Sequence, residues 1–189
     1  MRLIDYILIY LKKREKMKKK EPLMIKRIIH FNVVCSDIEK SLEFYVDLLG
    51  GHLLGNREKE AIIKRKVESE GVGIALGLGD NAEYKGWVIR YGYDKNATLL
   101  DLLQWTKPPS IGKPYDRINN VGITRISLEV DDVEKVYKDL KSKGVEFISP
   151  PQVADLTPET PGRDLIKIVT AKDPDGIFVQ LEEFIRNQD

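Results

Sequence analysis

Ile28-Ile29-His30-Phe31-Asn32-Val33-Val34-Cys35-Ser36-Asp37 is a β-rich run that closes on an aspartate, and the chain repeats its pattern as Ile123-Thr124-Arg125-Ile126-Ser127-Leu128-Glu129-Val130-Asp131-Asp132. In both copies seven positions separate a central polar residue from the closing carboxylate, His30 to Asp37 and Arg125 to Asp132. Each of these aspartates stands where a helix N-cap belongs, because its side-chain oxygen can take an amide proton left unpaired at a helix start. Apolar residues then recur at helical spacing: Ile38, Leu42, Tyr45 and Leu49 in the first copy, Val133, Val136, Tyr137 and Leu140 in the second. Gly50-Gly51 and Gly144 stop the two helices.

Working outward, strands are expected to begin at Gly51-His52-Leu53-Leu54 and at Val145-Glu146-Phe147-Ile148. Further strands are expected over Gly86 to Tyr93 and Leu165 to Ala171, and both halves close alike, Ala97 to Trp105 against Gly176 to Phe184. Each half therefore reads strand, helix, three strands. The sequence predicts an α+β fold of two tandem βαβββ modules forming a curved mixed sheet around a cleft. Residues 1–23 read as a basic, helical N-terminal extension, 24–107 as the first module, 108–120 as a linker and 121–189 as the second module. The first module carries a helical insertion near 58–70, and Gly71 to Asn81 reads as a glycine-rich mobile loop. Pro108, Pro109 and Pro114 break the linker. Gly71-Val72-Gly73 and Gly77-Leu78-Gly79 do not make a dinucleotide loop, since no helix-forming run follows Gly79.

A net charge of +1 gives the chain no overall pull toward nucleic acid or an anionic membrane. The lone cysteine, Cys35, cannot form an intramolecular disulfide and suits a cytoplasmic protein. Leu3 to Leu11 is apolar and Lys12 to Lys20 basic, the wrong charge order for a secretory signal and too short an apolar run to span a bilayer. The extension is read as dispensable, with the compact fold starting at Met24.

The run from His30 to Asp37 with Ser41 and Phe44-Tyr45, and the run Asp173-Pro174-Asp175-Gly176 before the last strand, resemble the vicinal oxygen chelate superfamily, which includes glyoxalase I, extradiol dioxygenases and bleomycin resistance proteins. The resemblance covers roughly Ile25 to Phe184. It implies that the two modules enclose a cleft in which metal-dependent members hold a divalent ion with four side chains, one from the first and one from the last strand of each module. Those positions fall here on His30, Asp101, Arg125 and Gln180, where the family usually has His, Glu, His and Glu. The resemblance also implies a homodimer.

Strand alternation supports these four residues as cleft residues independently. His30, Asn32 and Val34 share a face, as do Arg125, Ser127 and Glu129, then Leu99, Asp101, Leu103 and Trp105, then Phe178, Gln180, Glu182 and Phe184. Charge argues against the usual metal. Neutral His30, Asp101, Arg125 and Gln180 sum to zero, and a guanidinium has no lone pair to offer a cation. Within ~4 Å of a divalent ion it would repel that ion by several kcal/mol at an effective dielectric near 20. Arg125 is therefore read as replacing a metal ligand, pairing with Asp101 or with a carboxylate, phosphate or enolate oxygen of a ligand. Metal held by His30, Asp101 and Gln180 is the disfavoured alternative, and the cofactor stays unassigned.

Two functions follow. One is a lyase, isomerase or oxygenase acting on a small oxygenated metabolite, with His30, Glu129 or Glu182 as base and Arg125 stabilising the developing anion. Asn32, Asp101, Trp105, Arg125 and Gln180 would contact the ligand. The other is a ligand-sequestering protein of the bleomycin resistance type, with an aromatic cleft and no catalytic base. His52 reads as surface, and Cys35 as buried on the helix side.

Overall fold

The computed structural model of the protein describes residues 25–55, 71–155 and 165–185. The extension expected over 1–23 and the insertion expected near 58–70 lie outside the described residues. Module one runs β1 (His30–Val34), α1 (Ile38–Leu42) continued by a π-helical turn (Glu43–Leu48), β2 (His52–Leu54), the short α2 (Val72–Ala75), β3 (Glu83–Arg90) and β4 (Leu99–Lys107). Module two runs β5 (Arg125–Glu129), α3 (Val133–Ser142), β6 (Gln152–Asp155), β7 (Leu165–Lys172) and β8 (Phe178–Ile185). Two four-stranded mixed sheets result, in the orders β1-β4-β3-β2 and β5-β8-β7-β6. The first and last strands of each module are parallel, and the other pairs are antiparallel.

The repeat read from the sequence is also a repeat of hydrogen bonds. Asp37 caps α1 by accepting from the Glu39 and Lys40 amides, and Asp132 caps α3 by accepting from the Lys135 amide. The Cys35 amide donates to the Leu103 carbonyl, and the Val130 amide donates to the Glu182 carbonyl, both at 2.8 Å. The last strand of each module also supports the helix start. Gln104 Oε1 accepts from the Ile38 amide at 3.3 Å, and Glu183 Oε2 accepts from the Val133 amide at 2.9 Å.

The two helices differ by one residue. After α1 the Gly51 amide reaches back to the Tyr45 carbonyl at 3.1 Å, whereas after α3 the Val145 amide reaches the Leu140 carbonyl at 3.1 Å. The extra residue of the first helix is taken up in its π-helical turn, where the Leu49 amide bonds the Phe44 carbonyl at 3.0 Å.

Two expectations need correcting. Val145–Ile148 is not a strand of its own. Phe147 makes a single bridge to Ala171, and the pairing resumes only at Gln152 opposite Ile168. Pro150 and Pro151 lack the N–H that a ladder needs, so the chain bulges past them before β6 begins. The Gly71–Asn81 segment is not a plain loop, because it winds one helical turn as α2. Gly73 allows this: a Cβ there would stand 2.2 Å from the Gly79 carbonyl oxygen. The helix-side faces of the strands make one core shared by both modules. Leu42, Tyr45, Ile89, Leu100 and Leu102 of module one pack with Ile126, Ala171 and Val179 of module two.

Candidate functional site

With one face of each sheet committed to that core, alternation sends His30, Asn32, Val34, Asp101 and Trp105 to the opposite face in module one. It does the same for Arg125, Ser127, Glu129, Gln180 and Glu182 in module two. Register then decides which of these residues meet. Asn32 lies opposite Asp101, and its Nδ2 donates to Asp101 Oδ2 at 3.3 Å. Ser127 lies opposite Gln180, and Glu129 opposite Glu182. Gln180 is buried and its Nε2 donates to Glu182 Oε1 at 2.6 Å, an oxygen that also accepts a short bond from Ser127 Oγ. His30 and Arg125 begin their strands opposite Leu99 and Phe178, one step along the polar face from Asp101 and Gln180. Trp105 is half-buried, with the ring of Tyr84 edge-on to it at 5.0 Å.

Where module one meets module two there is a cavity of about 510 Å³. Its walls come from β1 and the residues after it, from the start of β5, from linker residues Ser110–Tyr115 and from the turn before β8. Of the residues expected from sequence, Asn32 and Arg125 line it; His30, Asp101, Trp105, Glu129, Gln180 and Glu182 do not. Among the polar contributors that sequence reasoning missed are Ser36, Lys113 and Asp175. The signal for Asp175 was present, since the Asp173-Pro174-Asp175-Gly176 run had been singled out, though as a mark of the fold. Lys113 lay in a linker read only for its prolines.

The cavity is closed on one side by contacts that cross between modules. Asp175 Oδ2 accepts from the Ser36 amide at 2.9 Å. Behind it, Asp173 is 5% exposed. The Tyr45 hydroxyl donates to Asp173 Oδ2 at 2.9 Å, and the Ile177 and Asp175 amides donate to Asp173 Oδ1 at 2.7 and 3.0 Å. Burial raises the Asp173 carboxyl above its ordinary value, against the lowering effect of those donors. Tyr45 is pushed well above the usual phenol range, first by burial and then by the Asp173 charge. The Cys35 thiol also lines the cavity but is buried, bonded to the Leu103 carbonyl at 3.4 Å, and pushed up to about 11 chiefly by desolvation. It is therefore a packed thiol rather than a nucleophile.

The four positions that the resemblance singles out carry His30, Asp101, Arg125 and Gln180. Among the described residues no group of three His, Cys, Asp or Glu side chains is placed to hold one. Of the four positions the resemblance singles out, Arg125 is a cation, Gln180 is tied to Glu182 and Asp101 accepts from Asn32. Ion pairs between described residues join Lys40 to Asp37, Lys143 to Asp139, Lys167 to Glu183 and Lys172 to Glu146; Arg125 is in none of these.

Comparison with known proteins gives a consistent result. The sequence profile described as the Glyoxalase/Bleomycin resistance protein/Dioxygenase superfamily matches residues 27–181. The Bacillus subtilis protein YwkD is 25% identical over 124 residues, covering 66% of this chain and 77% of YwkD. A glyoxalase family protein from Bacillus cereus superposes with a TM-score of 0.62 at 18% identity, covering 87% of this chain and 97% of that one. Glyoxalase I from Leishmania major superposes with a TM-score of 0.52 at 17% identity, covering 84% and 87%. Likenesses this distant bear on the fold alone.

Proposed function

Because the chain belongs to the Glyoxalase/Bleomycin resistance protein/Dioxygenase superfamily, we propose that it takes a small oxygenated metabolite into the cavity between its modules. In this reading the Arg125 guanidinium holds an oxygen of the ligand; the other three positions that the resemblance singles out, His30, Asp101 and Gln180, do not line the cavity. One observation carries the reading: Arg125 lines that cavity and is absent from the ion pairs among the described residues. Its planar fork is thus available to a carboxylate, phosphate or enolate oxygen. As a lyase, isomerase or oxygenase, the protein would use that cation to stabilise the developing anion.

A specific observation favours the second reading, capture of a ligand without converting it. His30, Glu129 and Glu182, the expected bases, do not line the cavity. A base must come within hydrogen-bond reach of the proton it takes.

The test is a thermal-shift and calorimetric screen of 2-oxo- and 2-hydroxycarboxylates, catechols and phosphate monoesters against the wild type and Arg125→Gln. Loss of one charge-assisted bidentate contact should weaken a binding compound about tenfold or more. NMR of the incubated compound separates conversion from capture. Stoichiometric metal in protein purified without chelators would sink the role given to Arg125, whereas metal uptake by Arg125→His alone would support it. We propose further that the protein is cytoplasmic and works as a homodimer. The four sheet edges at β1, β2, β5 and β6, and the exposed Ile25, Ile28 and Ile123, support the assembly, which light scattering would test.

A further inference from the structure

Charge and burial around the cavity between the modules are distributed unevenly. The inner wall is apolar and largely closed to solvent: Val33 is 5% exposed, Cys35 1%, Ile126 8% and Phe178 4%, with the half-buried Ile177 beside them. The charged groups are Arg125, Lys113 and Asp175. Arg125 and Lys113 are both exposed, so the cations stand at the rim rather than in the depth. Asp175 is already engaged by the Ser36 amide. The three charges sum to one net positive.

Lys113 comes from the linker, whose Ser110–Tyr115 stretch forms the outer wall. That stretch is fixed at its start. The Trp105 amide donates to Ser110 Oγ at 3.0 Å and the Ser110 amide donates to the Trp105 carbonyl at 3.1 Å. It then turns at Gly112, whose φ of 84° is a conformation that suits glycine. Ile111, 92% exposed, lines the same space and offers an apolar side chain that a ligand's apolar body could cover.

We infer that the ligand is a monoanion with an apolar body, its charged head held at the rim between Arg125 and Lys113 and its body against the wall of Val33, Ile126 and Phe178. This rests on the reading of the cavity as the ligand site and adds the class of ligand and a specificity-determining residue, Lys113. A compact dianion would leave the apolar wall unfilled and would carry a second charge toward groups that cannot solvate it. A neutral isostere would leave both cations without a partner. Apolar burial supplies affinity, and the rim charges supply orientation and selectivity.

The test is isothermal titration of the full chain with three probes: 3-phenylpropanoate, its amide 3-phenylpropanamide, and succinate. 3-Phenylpropanoate is expected to bind about tenfold more tightly than either of the others. Lys113→Gln, a substitution at an exposed position, should weaken 3-phenylpropanoate about two- to fivefold and leave the amide unchanged. Arg125→Gln should weaken it about tenfold. Succinate binding as tightly as 3-phenylpropanoate, undetectable binding of 3-phenylpropanoate, or no effect of Lys113→Gln would each overturn the inference. If Arg125→Gln still weakens whichever compound binds, only the ligand class falls. If Arg125→Gln changes nothing, the reading of the cavity itself falls.

Discussion

The turn between β3 and β4 and the turn between β7 and β8 fold alike and lie in opposite surroundings. In module one the Asn96 amide donates to Asp94 Oδ1 at 2.8 Å and the Ala97 amide to the Asp94 carbonyl at 3.1 Å. In module two the Asp175 amide donates to Asp173 Oδ1 at 3.0 Å and the Gly176 amide to the Asp173 carbonyl at 3.0 Å. Asp94 is exposed, whereas Asp173 is buried against the π-helical turn of the other module with the Tyr45 hydroxyl on its second oxygen. The position matching Tyr45 in α3 is Leu140, which offers no hydroxyl. The local sequence thus builds the turn, and the neighbour that receives it decides whether it is a surface feature or a joint between modules.

The largest expected effect follows from that difference. Asp173→Ala removes the acceptor for the Tyr45 hydroxyl and for two amides in a buried place, and should cost about 3 kcal/mol. Asp94→Ala, at a solvated turn, should cost below about 1 kcal/mol. Urea denaturation of both variants measures the pair, and equal losses would break the comparison. Asp173→Asn sharpens it through pH. The folded carboxyl is raised by burial, so its contribution is fully present below the unfolded value and is lost as pH rises through the folded one. The stability of the wild type relative to Asp173→Asn should therefore increase as pH is lowered from neutral toward the carboxylate range. A difference independent of pH would mean that Asp173 titrates as an ordinary surface carboxyl.

A smaller effect is expected on the polar faces of the sheets. Gly86 lies opposite Leu103 in module one, where module two has Ile168 opposite Glu182. A Cβ on Gly86 would stand 2.8 Å from Leu103 Cδ2 and 2.8 Å from Tyr84 Cε2. Gly86 thus lets the Tyr84 ring lie over the strand and meet Trp105, whereas the matching position in module two carries the Ile168 side chain. Gly86→Ala should cost about 1–2 kcal/mol and shift the tryptophan emission as Tyr84 is displaced. An Ala variant as stable as the wild type, with unchanged emission, would show that the ring is not held there.

The elements of both modules were legible because their signals are local. An aspartate cap, helical apolar spacing and a terminal glycine each act within a few residues, and strand alternation put Asn32 and Asp101 each on the polar face of its strand, whereas their pairing depends on a register that alternation does not encode. The β6 boundary was misread because Val145–Ile148 has strand composition while the pairing depends on Pro150 and Pro151 beyond it. The cavity was legible only in part. Arg125 was found through its motif position, but Ser36 and Asp175 meet across 139 positions of sequence. No periodicity encodes how two modules approach each other. For the same reason Glu129 and Glu182 were placed on the correct face and yet do not reach the cavity.

The smallest effect concerns a device that the modules share. Gln104 and Glu183 occupy matching positions in β4 and β8, and each accepts from the first amide of the helix above it. Gln104 adds a bond from Nε2 to the Ser36 carbonyl at 2.7 Å; Glu183 adds a negative charge at the α3 N-terminus and lies 3.9 Å from Lys167 Nζ. One more hydrogen bond in module one and one favourable charge in module two are of similar size, so Gln104→Ala and Glu183→Ala should each cost about 1 kcal/mol. Glu183→Gln keeps an acceptor and removes only the charge, and should recover part of that loss, leaving a deficit of about 0.3–0.5 kcal/mol that shrinks with added salt. Chemical denaturation at low and high salt separates the two parts. A Glu183→Gln variant as damaged as Glu183→Ala would mean that charge alone anchors α3, and that the matching positions reached the same geometry by different physics.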